Sequence, residues 1–473
     1  MKKGSITVML CLMLTIVTAL VVGCFQSGQV ASARAVAANA ADAALYSLFA
    51  EYDQVLLENY DLFFLEGSYG GGNLRLGCVI DNLQEDMQPV LDTDLVNSKL
   101  KQTGIAGFTL ATDEAGASFR QQCITYVKES MGAQALSDLV NQVQTSKQTA
   151  LEQEENKNSQ DIGEALQDYD GKIETMTEET TPTEETTPIE ENPIEVIRKV
   201  QTMGILGLVL ENPSAVSQKG IRISQGVSGR SLQQGMGESF IDEDIDSMTN
   251  TLLFQEYILQ KCSSYTTPRL EGTLDYQVEY ILEGADTDQE NLKKTVNRLL
   301  LLREAANCVY LYSDGAKRGE VSALALTLAT AIGLPQAQQL LEPILILCWA
   351  YGESLLDVKQ LMAGGKVPLV KDSSSWQISL GNLPYVLETL KSDVHKSQKG
   401  MDYQQYLRIL LGLSAGEAQT FRCMDMVEGT VRQMEGKENF QMDSCIGVIE
   451  IEMQVEGPGN QVWTIQRQYG YDM

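Results

Sequence analysis

Residues 6–25 read ITVMLCLMLTIVTALVVGCF and contain no charged residue, Pro, Asn or Gln. As a helix this stretch rises about 30 Å, the thickness of a bilayer's hydrocarbon core, so length and composition both suit a membrane span. Ile6, Leu10, Leu14, Val17, Val21 and Phe25 run along it. Only Lys2 and Lys3 charge its leading flank. A positive flank stays in the cytoplasm, which predicts a single-pass cell-membrane protein with a cytoplasmic N-terminus and an extracytoplasmic body.

The rest of the chain suits water. Its 35 Lys and Arg stand against 64 Asp and Glu, a net charge of −29, which excludes nucleic-acid or anionic-lipid binding through broad electrostatics. There are nine cysteines, an odd number, and no CxxC. Cys308 and Cys348 sit in apolar, helix-like runs and read as buried thiols rather than halves of a disulfide framework.

Three fates compete for the N-terminus. A cleaved secretory signal requires a small-residue cleavage site and then a mature start, but a helical composition continues past Phe25. Val21-Val22-Gly23-Cys24 is lipobox-like and would place an acyl chain on Cys24, yet no flexible polar tether follows. Retention of the helix fits the composition better. Residues 31–44, ASARAVAANAADAA, hold nine alanines, and small side chains let helices approach closely. Ala37, Ala41 and Ala44 are the helix-packing candidates, for self-association or contact with a partner; the competing explanation is that Ala simply favours helix. Leu45, Leu48, Phe49, Tyr52, Val55, Leu56, Tyr60 and Phe63 then recur at steps of three and four, predicting one long helix that ends in Gly67–Gly72.

These residues carry a resemblance. The short positive start, a Gly before an apolar helix and the run Asn39–Ala44 resemble the N-terminus of TadE/TadG-like proteins of tight-adherence pilus systems. Blocks at 50–60, 274–284, 299–307 and 349–371 resemble an uncharacterised family of Gram-positive anaerobes associated with such pilus loci. The resemblance implies other pilus or pseudopilin components as partners, and no established activity. Processing between Gly4 and Ser5 is the implied prepilin cut, but Met9 stands where the peptidase wants Glu, and TadG-like proteins often keep the helix uncut.

The predicted organisation is a transmembrane segment at 1–28, a juxtamembrane helix with the first part of the body at 29–144, a linker at 145–193 and a main body at 194–473. The linker is poor in aromatics and carries the repeat Thr-Glu-Glu-Thr-Thr-Pro over 177–188, too little apolar surface to offset ordering. In the body, alternation over Leu274–Tyr280 predicts a strand, Thr287 and Glu290 cap a helix over 292–311, and an apolar helical hairpin breaks at Gly333 and Pro335. A short strand at 376–380 and a closing hairpin around Gly457-Pro458-Gly459 complete an α+β, mainly helical fold.

Catalytic motifs are weak. His395 is the one histidine, in a polar loop, so no Ser-His-Asp or Cys-His pair can form without it. Asp242, Asp244 and Asp246, like Asp286, Asp288 and Glu290, alternate as calcium ligands do but lack the EF-hand Gly and closing Glu. Glu353 and Asp357 share a helix face, with Arg303 as a partner, and read as structural ion-pair candidates that lock two helices; acid–base catalysis is the rival use. No cofactor is implied. The sequence reads as a membrane-anchored structural or accessory protein and not an enzyme; the alternative is a Cys24-anchored lipoprotein acting as a surface binding module.

Overall fold

The computed structural model describes residues 3–91, 98–156, 162–179, 192–237, 245, 247–269, 272–392, 397–414 and 416–471. It is α+β and mainly helical. Two compact units are present: Met1–Tyr126, Ser224–Ser247 and Val427–Met473 form the first, Val127–Ile223 and Met248–Met426 the second. Contiguous bodies at 29–144 and 194–473 were expected; instead the C-terminal hairpin returns to the N-terminal unit.

In the first unit one helix runs over Lys3–Phe49. Its apolar beginning is bare, with every large side chain from Ile6 to Phe25 exposed. From Ala33 a stripe turns inward: Ala33, Ala37, Ala40, Ala41, Ala44, Leu45 and Leu48 are buried at helical spacing. They share a core with Val79, Leu83, Met87 and Leu91 of helix Leu76–Leu91 and with an antiparallel sheet. In that sheet β3 (Cys445–Gly457) lies between β2 (Lys99–Leu110) on one side and β4 (Gln461–Gly470) with the short β1 (Leu65–Glu66) on the other. Alternation sets its faces: Ile449, Ile451, Met453 and Val455 point into the core, whereas Glu450, Glu452, Gln454 and Glu456 are half-buried on the opposite face.

Two expectations change here. The helix predicted to run through Phe63 stops at Phe49, because Asp53 starts a new one: its Oδ1 accepts the amides of Val55 and Leu56 at 2.9 and 3.0 Å, capping Gln54–Tyr60. Strand β2 was not foreseen. Its register shifts at three places, which erases the period-two pattern that marks a regular strand.

The second unit is helical. Ala133–Asn156 and Ile162–Glu179 occupy most of what composition assigned to a linker, and they bury Val143, Ala150, Ile162, Ala165 and Leu166. Few apolar residues suffice when they fall on one face. The remainder of the Thr-Glu repeat lies outside the described residues. Helix Asp288–Ser313, capped by Thr287, packs against Gln338–Met362, and Gly315–Ala331 joins them through a turn at Gly333, whose φ is +72°. The strand expected at 274–280 is instead helix Gln277–Glu283. Its apparent alternation misled because Gln277 and Glu279 are as buried as the apolar residues between them. The short strand expected at 376–380 has no sheet partner either. The amides of Gln377 and Ile378 donate at 2.9 Å to the carboxylate of Glu353.

Candidate functional site: a buried charge cluster

Helices Asp288–Ser313 and Gln338–Met362 bring Arg303, Glu353 and Asp357 together, all fully buried. Arg303 Nε donates to Asp357 Oδ2 at 3.1 Å, and Nη1 donates to Tyr406 Oη and the Leu369 carbonyl, each at 3.0 Å. Asn307 Nδ2 donates to Asp357 Oδ2 at 3.1 Å and Ser354 Oγ at 2.9 Å. A fourth charge arrives from the loop after the second helix: Lys371 Nζ donates to Glu353 Oε1 and, at 2.6 Å, to Asp357 Oδ1. Two cations and two anions thus balance in the interior, and each carboxylate oxygen has a donor.

Environment separates the two carboxyls. Burial pushes Glu353 above the usual carboxylate range, with Lys371 opposing. Burial acts on Asp357 too, but Lys371 and Arg303 outweigh it and hold that group below the usual range. Trp349 and Trp376 wall the cluster; both indoles donate to the Ile378 carbonyl, at 2.8 and 2.6 Å, and their rings meet edge-on at 5.5 Å. Lys317 Nζ lies 4.6 and 4.8 Å from the two ring centroids. Beside them opens a cleft of about 370 Å³, lined by Asp357, Lys366, Lys371, Ser374, Trp376 and Gln377 among others.

Residues 183–457 match the model of a family described only as a family of unknown function, DUF5702. The chain belongs to this family. Every member of the charge cluster falls inside the DUF5702 match, as do the blocks at 274–284, 299–307 and 349–371, while the N-terminal helix lies outside it. No curated protein and no solved structure matches the chain.

Sequence reasoning missed Lys371, Asn307, Tyr406 and Gln377. Only Lys371 left a signal, a lysine closing the apolar run Val367–Val370. Other candidate positions fare differently. Ala37, Ala41 and Ala44 face the chain's own core, packed within the first unit. The neighbouring helix Leu76–Leu91 already uses their close-approach face. Cys24 is exposed midway along helix Lys3–Phe49, and Gly4 and Ser5 lie at that helix's start. Asp288 is buried and accepts the amides of Asp275 and Tyr276 at 2.9 and 3.0 Å, a fixed structural role. His395, Asp242, Asp244 and Asp246 lie outside the described residues. Among the described residues no group of three or more His, Cys, Asp or Glu side chains could hold a metal.

Proposed function

We propose that this DUF5702 member is a membrane-anchored, extracytoplasmic structural or accessory protein, and more finely that it serves a tight-adherence-type pilus or a related envelope assembly by packing and partner contact. One observation carries the reading: helix Lys3–Phe49 is bare and apolar over its first half and built into a folded core over its second. Ala33 follows Phe25 by only eight positions, about 12 Å of helix, so the apolar segment and the core of the first unit form one stiff piece. A secretion signal has no need to be a structural member of the mature fold. The TadE/TadG-like N-terminus supports the finer reading, and the exposed Cys24 keeps lipid anchoring as its rival.

The test is intact-mass analysis of the membrane fraction together with labelling of single exposed cysteines by an impermeant reagent in whole cells. An unacylated chain beginning at Met1 or Ser5, with its body labelled from outside, is expected. A diacylglyceryl Cys24 terminus gives the lipoprotein instead, and a soluble product lacking the first two dozen residues overturns both. Pilus assembly unaffected by deletion of the gene would remove the finer role.

A further inference from the structure

We propose that the folded chain joins Lys371 Nζ to Glu353 Cδ in a side-chain amide bond, with Asp357 as the proton carrier. The geometry is that of a reaction held at its starting point. Lys371 Nζ is in hydrogen-bond contact with Glu353 Oε1 and lies 2.6 Å from Asp357 Oδ1, so the amine, the carboxyl group it would attack and the base are already neighbours. The amides of Gln377 and Ile378 donate at 2.9 Å to the two oxygens of Glu353, where negative charge collects when its carbon is attacked. All three side chains are sealed from solvent, at 1% exposure for Lys371 and 0% for both carboxyls.

The atoms balance. One ammonium proton passes to Glu353, whose neutral form burial favours, leaving a neutral amine with a free lone pair. That lone pair bonds to Glu353 Cδ, Asp357 takes the second proton from the now cationic nitrogen while the third stays, and the Cδ–O bond of the former carboxylic acid breaks. The departing hydroxyl takes back the proton held by Asp357 and leaves as water, for which the cleft lined by Asp357 and Lys371 is the exit. No oxidant or cofactor is consumed. Condensation also removes one buried cation and one buried anion, sparing their desolvation cost, and leaves Arg303 and Asp357 as a single matched pair. The bond would fasten helix Gln338–Met362 to the loop that follows it, in a chain whose nine cysteines form no disulfide.

Intact-mass spectrometry of the purified full chain decides the matter. One water less than the sequence mass is expected, with a branched peptide joining the Glu353 and Lys371 segments after digestion. Glu353→Gln should reach the same final mass, by loss of ammonia, whereas Lys371→Arg and Asp357→Asn should retain their full masses. A structural ion pair moves none of these readings. A wild-type chain at its full mass, or separate unbranched peptides for the two segments, overturns the proposal, and that measurement needs no variant to fold.

Discussion

Replacing Ala41 by Leu tests whether the small face of the N-terminal helix is an internal surface. Ala41 is fully buried, with Val79, Leu83, Met87 and the sheet residue Ile451 in the same core, while Ala43 two positions on is exposed. Three added heavy atoms at position 41 enter this buried core, so the helix should lift from Leu76–Leu91, at about 1–3 kcal/mol of overpacking. The same change at Ala43 adds only exposed surface, and such substitutions fall within about 0.5 kcal/mol. The assay is urea unfolding of the detergent-solubilised chain followed by Trp463, the tryptophan of the first unit, with Trp349 and Trp376 replaced by Phe in all samples. With an m-value of about 2–3 kcal/mol/M, a loss of about 2 kcal/mol lowers the midpoint by about 0.7–1 M. Equal midpoints for the two variants, with only the Ala41 variant losing a co-purifying partner, would refute the internal-packing argument.

Three further perturbations follow from named contacts. Arg230 pairs with Glu428 at 2.6 Å and Asp443 at 2.5 Å, both carboxylates nearly sealed, so Arg230→Ala should cost about 3–5 kcal/mol in urea unfolding; a loss below 1 kcal/mol would show those carboxylates to be solvated. Burial raises Glu279 from 4.5 to about 7, against hydrogen bonds from the Tyr265 amide at 2.9 Å and the Tyr403 hydroxyl at 2.7 Å. The folded state therefore holds a proton that the unfolded state releases above pH 4.5, and stability should fall by about 3 kcal/mol as pH rises to about 7, then level. Glu279→Gln should abolish that slope in unfolding midpoints measured from pH 5 to 8, and an unchanged slope would assign it elsewhere. Gly400 has φ +108°, and a Cβ there would lie 2.3 Å from Pro368 N and Val367 C; Gly400→Ala should lower the thermal midpoint by several degrees, and an unchanged midpoint would contradict that packing.

Features written in a local period were legible. The bare span, the capped helix at Asp288–Ser313, the hairpin broken at Gly333 and the closing hairpin of β3 and β4 all announce themselves within a dozen residues. Features that depend on distant partners were not. Glu279 looked like the outward half of an alternating strand because nothing nearby reveals Tyr265 and Tyr403 waiting to donate to it. Glu353 and Asp357 share a helix face by spacing alone, but Lys371 and the two loop amides that complete their environment come from chain whose path spacing does not encode. The alanine run was ambiguous for the same reason, since small residues signal close approach without naming what approaches.

That ambiguity resolves at the end of the chain. Strand β4 grips the N-terminal helix: Arg467 Nε meets Asp42 at 2.9 Å, Arg34 lies 5.3 Å over the Trp463 ring, and Tyr46 and Phe49 pack against Tyr469 at 5.3 and 5.2 Å between ring centroids. Tyr471 closes the set by donating to the Phe49 carbonyl. Residues as far as 422 positions apart are therefore joined in one core, and pairings so distant in sequence are slow to form. Without β4, part of the helix's inward face lacks its cover. The side chains change in kind along helix Lys3–Phe49. Leu, Ile and Val fill the bare stretch, long and apolar enough to cross a membrane, and Ala takes over where the packing partner becomes the chain's own sheet and helix, so one rod carries both that apolar segment and the keystone of the first unit.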